Sequence, residues 1–174
     1  MRVALVVASA LCALAPALSC AQPAPVINEK DVNESALVNM LTPPPRTRSI
    51  KVTRDAKPEP PPSASLLITF QTNSAQLTPQ AQKSLEIVGR ALKNEKLNDF
   101  RFSIEGHADP RGNADSNMKL SQKRAESVAA FLEQSQQIPA ERLKPVGKGQ
   151  TELMNPSNPA APENRRVTIK TLTD

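Results

Sequence analysis

The stretch FRFSIEGHADPRGNADSNMKLSQKRA, residues 100–125, decides how this chain folds. Its first positions alternate Phe100, Phe102 and Ile104 with Arg101, Ser103 and Glu105, the period-two pattern of a half-buried strand. The strand delivers Asp109 into a loop, and Arg124 is expected about one turn into the helix that follows. An acid and a base thus stand fifteen residues apart across a strand-loop-helix junction. Either they pair with each other, as structural ion pairs commonly do, or they face a common ligand that carries both charges.

Working outward, Leu66, Ile68 and Phe70 point one way in a first strand, and Thr78-Pro79 offers an N-cap followed by proline at the first helical position. Ala81, Leu85, Val88 and Leu92 form a single apolar stripe on that helix. Ala125, Val128, Ala129 and Leu132 mark the apolar face of the second helix, which ends before Pro139. Residues 143–148 read as a third strand, and 166–172, alternating Val167 and Ile169 with Thr168 and Lys170, as a fourth. The order βαβαββ implies an α+β sandwich over residues 66–174, a mixed four-stranded sheet with helices packed on one face.

The remaining length precedes this domain. Arg2, the apolar run 3–14 and Pro16 have the form of a secretory signal peptide over residues 1–21, too short to span a bilayer. Small residues around Cys20 suit cleavage to a soluble chain starting at Gln22, whereas 17–20 also resembles a lipobox in which Cys20 is lipidated. The Leu of that pattern stands one place off. Cys12 leaves with the signal either way, so the mature chain builds no disulfide and no thiolate metal site. Losing Arg2 lowers the formal charge from +5 to +4, a mildly basic surface.

Residues 22–65 hold nine of the seventeen prolines and read as a linker or partner-binding arm. Fully extended, it reaches on the order of 130 Å. Within it, Val32, Leu37, Met40 and Leu41 share one side of a short helix that Asp31 could cap. Ten residues are marginal for an isolated helix, so it either docks on a partner or forms only fleetingly. Residues 47–54 alternate as an edge strand or a basic connector.

Asp109 and Arg124, with Asn117, Leu120 and Ser121 between them and Asn164-Arg165-Arg166-Val167 near the C-terminus, resemble the C-terminal peptidoglycan-binding domain of the OmpA family, also found in Pal lipoproteins and the stator protein MotB. The resemblance implies a peptidoglycan stem peptide as ligand, recognised through meso-diaminopimelate. It assigns the ammonium to Asp109 and the carboxylate to Arg124, walls to Asn117, Leu120, Asn73 and Ala75, and a further contact to Asn164 and Arg165. The chemistry suits both charges: a guanidinium holds a carboxylate with two parallel donors, and an ionised aspartate only accepts. A helix N-terminus beside the site adds a positive dipole end. The chain departs from the family where Ala108 replaces a common threonine and Ser116 a common aromatic.

His107 is the sole histidine, so no two-histidine metal or relay arrangement exists, and a structural role is expected for it. Gly106 and Gly112 are assigned to the turn, since neither phosphate-loop nor dinucleotide spacing surrounds them. No nucleophile with a base and an orienting group is visible, and neither metal nor cofactor is implied. With no Trp or Tyr, and the four Phe assigned to the core, a nucleic-acid stacking platform is missing despite a pI of 9.5. The function expected is non-catalytic anchoring of an envelope component to the cell wall in the periplasm, with membrane attachment only if Cys20 is lipidated. The alternative is an envelope-assembly subunit whose residues 22–65 bind a protein partner, with wall binding weak or lost.

Overall fold

The computed structural model describes residues 26–44, 60–71 and 74–173. Cys20, the signal segment and residues 47–54 lie outside them. Five strands, β1 (Val26–Asn28), β2 (Ser63–Leu67), β3 (Arg101–His107), β4 (Leu143–Gly149) and β5 (Val167–Leu172), form one mixed sheet in the order β1-β2-β5-β3-β4. β5 runs antiparallel to both of its neighbours, while β1 with β2 and β3 with β4 are parallel. Helices α1 (Glu34–Leu41), α2 (Pro79–Leu92) and α3 (Ala114–Gln136) bury their apolar stripes against one sheet face. The α+β architecture is the expected one, but the sheet has five strands where four were predicted.

The fifth strand comes from the expected linker. Val26–Asn28 pairs with Ser65–Leu67, a single 3-10 turn (Glu29–Asp31) follows, and α1 lies on the domain. Leu37 and Leu41 are fully buried in the same core as Leu85 and Leu92. Burying each such leucine stabilises the docked state by about 1.5–3 kcal/mol, and the two together offset a helix nucleation cost of about 3–4 kcal/mol. The cap is Asn33, whose side chain accepts from Ser35 N and Ala36 N, in place of Asp31. Thr171 Oγ1 donates to the Leu41 carbonyl over 2.6 Å, and Ser84 Oγ to that of Glu29 over 2.9 Å. The helix read as fleeting, or as docking on a partner, is therefore docked on its own domain. Residues 45–59 now join two docked elements, so the tether expected over 22–65 ends at Val26.

Two boundaries also move. The first strand ends at Leu67, and Phe70 instead bridges Leu77 across a tight excursion. α3 starts at Ala114, because the Asn113 side chain accepts from Asp115 N and Ser116 N. Arg124 thus sits almost three turns into the helix, ten residues past its start, instead of one. Gly112 does serve the turn, with φ +92°. Gly106 is a strand residue: a Cβ there would collide with the Ser121 carbonyl oxygen, so its bareness lets α3 close onto β3. Of the four Phe, Phe102 is fully buried, and Phe70, Phe100 and Phe131 pack partly buried against the core.

Candidate functional site

Beyond β3 the chain turns sharply around Asp109, which is buried. Its Oδ2 accepts from Arg111 Nη2 at 2.6 Å, Arg111 Nε at 3.1 Å and Arg165 Nη1 at 2.9 Å, while Oδ1 accepts from Arg111 N at 3.2 Å. The Arg111 hydrogen bonds are the main cause that lowers its pKa from 3.8 to about 2; burial opposes the shift and Arg165 assists it. Asn117, on the first turn of α3, fixes the loop: its Nδ2 donates to the carbonyls of Asp109 and Arg111 and to Gln150 Oε1.

Arg124 is half-buried, and its Nε donates to the Ser74 carbonyl at 3.1 Å. Its guanidinium lies 4.9 Å above the centre of the Phe70 ring, a cation-π distance. Burial lowers its pKa, the Arg165 charge adds to that, and Asp109 acts in the opposite sense. Among the described residues no carboxylate makes an ion pair with it. The direct Asp109-Arg124 salt bridge is therefore not formed; Asp109 is taken by Arg111 and Arg165.

The other expected contacts separate into two groups. Arg165 joins Asp109 to the Arg124 neighbourhood, Leu120 is half-buried one turn before Arg124 on α3, and Ala75 adjoins the Ser74 carbonyl that Arg124 holds. Asn164 is fully buried, and its Nδ2 donates to the carbonyls of Asn155, Asn158 and Pro159 while Oδ1 accepts from Asn155 N. It staples the β4-β5 connection and thereby seats Arg165. Asn73 lies outside the described residues.

A cleft of about 550 Å³ opens beside these groups, lined by Arg124, Arg165 and Arg166, by Leu67–Phe70, Gln80, His107 and Pro162, and by residues 28–31. Asp109, Asn117, Leu120 and Ala75 are not on its wall. The arm segment was missed as a site element because its composition reads as linker. The Asn33 cap followed by Leu37 and Leu41 was the available signal, and it has force only once their burial partner is known.

His107 is buried with neither ring nitrogen hydrogen-bonded, its Nε2 lying 3.9 Å from Glu105 Oε2, and burial first, then Arg166, lowers its pKa to about 3. It is neutral at ordinary pH. Glu105, His107 and Glu152 offer ligand atoms within 4.8 Å of one another. Their carboxylates are already met by ammonium groups, Lys170 at 2.6 Å from Glu105 and Lys148 at 2.7 Å from Glu152. A divalent ion there would have to displace two lysines beside Arg166, so the group fits an internal ion network better than a metal.

The molecule is thus a small domain of α+β class with an arginine-lined cleft beside its mixed sheet. Residues 69–166 match the model of the OmpA family, more than half of the chain, and the chain belongs to that family. It is 35% identical over 104 residues to the outer-membrane lipoprotein YfiB of Pseudomonas aeruginosa, covering 59% of this chain and 60% of that protein. It is 31% identical over 102 residues to the peptidoglycan-associated lipoprotein of the same organism, covering 58% of this chain and 59% of the relative. A solved structure of the cell wall anchor of the T6SS from Pseudomonas aeruginosa superposes with a TM-score of 0.50 at 30% identity, over 60% of this chain and 75% of that one. The matched stretch thus spans about three fifths of the first two relatives.

Proposed function

We propose that the domain binds the stem peptide of peptidoglycan without catalysis, through diaminopimelate, and so anchors an envelope component to the cell wall in the periplasm. One observation carries the reading: Arg124 is half-buried on the cleft wall, positioned by Ser74 and Phe70, with no carboxylate partner among the described residues. A desolvated guanidinium left unpaired is costly unless a ligand completes it. A carboxylate of the ligand does so, with Arg165 alongside. Asp109 accepts from Arg165 and so holds it in place. The names of the relatives, a peptidoglycan-associated lipoprotein and a cell wall anchor, agree with this reading. Cys20 decides whether the exported chain is also held at the outer membrane by a lipid. The alternative in which the arm serves a protein partner loses its apolar docking face, since Leu37, Val38 and Leu41 are buried within the chain itself.

Weak single contacts are multiplied along a polymer that repeats its stem peptide, so retention is measured on whole sacculi. Co-sedimentation of the exported chain with purified peptidoglycan should fall roughly tenfold or more in Arg124→Ala, the scale of a lost charge-assisted pair. Arg124→Lys should recover little of it, because an ammonium lacks the planar fork. Wild-type sedimentation by Arg124→Ala and Asp109→Ala together would refute the site.

A further inference from the structure

A second guanidinium of the cleft, besides Arg124, lacks an acid: Arg166 lines the same cleft and is buried. Both of its terminal nitrogens donate to one acceptor, the Glu152 carbonyl, at 3.3 Å, and its Nε has no hydrogen-bond partner. His107 stands beside it. Gly106 pairs with Val167 across β3 and β5, and the His107 amide donates to the Arg166 carbonyl at 2.9 Å, so by strand alternation the two side chains share the sheet face away from the helices. The imidazole also lines the cleft, and neither of its nitrogens is hydrogen-bonded. Native interiors leave few such groups unsatisfied, and here they come from adjacent residues of neighbouring strands.

The acids whose charges act on Arg166 are Glu152 and Glu105. They are held by Lys148 at 2.7 Å and by Lys170 at 2.6 Å, and among the described residues no carboxylate makes an ion pair with Arg166. With His107 neutral, two carboxylates face three cations, Lys148, Lys170 and Arg166, so one positive charge is left over. A desolvated guanidinium Nε–H and an imidazole N–H side by side are donors, and the surplus charge selects an anion to accept from them. A cleft of about 550 Å³ has room for one peptide that reaches both this place and Arg124.

We infer that Arg166, with the His107 ring beside it, forms a second carboxylate subsite, so that the cleft recognises a peptide through two carboxylates, one at Arg124 and one at Arg166. This rests on the stem-peptide reading above and leaves the assignment at Arg124 unchanged. Beyond the zwitterionic end of diaminopimelate, a stem tripeptide offers two carboxylates to the second subsite, the glutamyl α-carboxylate and the C-terminal one.

The exported chain is titrated by calorimetry with three stem tripeptides: unmodified, amidated at the glutamyl α-carboxyl, and amidated at the C-terminus. Wild type should bind at least one amide roughly tenfold or more weakly than the unmodified peptide, the scale of a lost charge-assisted pair, and the amide affected names the carboxylate. Arg166→Gln should bind the unmodified peptide and that amide alike. Lys30→Gln, which removes an exposed charge from the same wall, should keep the preference. Arg124→Ala should weaken all three peptides and keep it too. Because Arg166 also braces the Glu152 carbonyl, its Nε–H resonance in nitrogen-15-labelled wild type supplies a readout without substitution: it should move with the unmodified peptide and stay with the affected amide. Equal binding of all three peptides by wild type, with loss in Arg124→Ala, overturns the inference and leaves the stem-peptide reading intact. A preference lowered as much by Lys30→Gln as by Arg166→Gln also overturns it, since the field of the whole wall would then be at work. No response of any peptide to Arg124→Ala removes the stem-peptide reading and the inference together.

Discussion

Replacing Leu37 by alanine tests whether the arm belongs to the domain. Leu37 is fully buried and joins the core shared by α1, α2 and the sheet. Removing three carbons from such a site costs the transfer free energy plus the cavity left behind, about 2–5 kcal/mol for leucine to alanine. α1 is only eight residues long and cannot persist without docking, so part of the loss would appear as the arm releasing. That relief places the expected value toward the lower half of the range, about 2–3 kcal/mol. Urea unfolding of the exported chain, followed by far-UV circular dichroism, should show a midpoint lowered by about 1 M or more at an ordinary slope. Asn39→Ala, on the exposed side of the same helix, serves as the control and should change stability by less than about 0.5 kcal/mol. Equal, small effects of Leu37→Ala and Asn39→Ala would mean that α1 is not docked, and the cleft wall formed by residues 28–31 would fall with it.

Two further outcomes follow from the core and the buried charges. Gly106→Ala puts a methyl group against the Ser121 backbone, 3.1 Å from its carbonyl carbon, so α3 must retreat from β3. Overpacking against backbone should cost about 1–3 kcal/mol, and peptidoglycan retention should drop as Arg124 moves with the helix; an unchanged melting temperature would contradict the close approach. In acid, Asp109 gives stability that is complete above its ordinary 3.8 and is lost as pH falls toward about 2. His107, with a folded pKa of about 3 against 6.5, opposes folding increasingly below 6.5, because the unfolded chain takes up a proton that the folded one refuses. Asp109→Asn should therefore flatten the lower window of the stability profile and His107→Gln the upper one. Urea midpoints measured across pH would expose the error if both slopes survived.

Much of this architecture was legible in the residues. Alternation in 100–105 and 167–170 and the stripe through Leu85, Val88 and Leu92 are local periodicities that sterics converts directly into strands and a helix. Helix starts were less legible. Asn113 and Asn117 are both plausible caps by type, and only the backbone amides that meet the Asn113 side chain settle which one acts. The arm was misread because its helix is too short to be stable alone and its proline-rich flanks look like a spacer. Its stability is supplied by Leu85, Leu92 and the sheet, which are distant in sequence.

The sequence by itself determined the α+β class, the export signal as an expectation, and the family to which the Asp109 and Arg124 blocks belong. Those depend on patterns carried by neighbouring residues. Tertiary structure decided who pairs with whom: Asp109 with Arg111 and Arg165, Arg124 with Ser74 and Phe70, and the arm with the cleft. Charges act through distances in space. Spacing along the chain could not rank three arginines, at 111, 124 and 165, as partners of one aspartate, and the folded geometry left Arg124 without a carboxylate among the described residues.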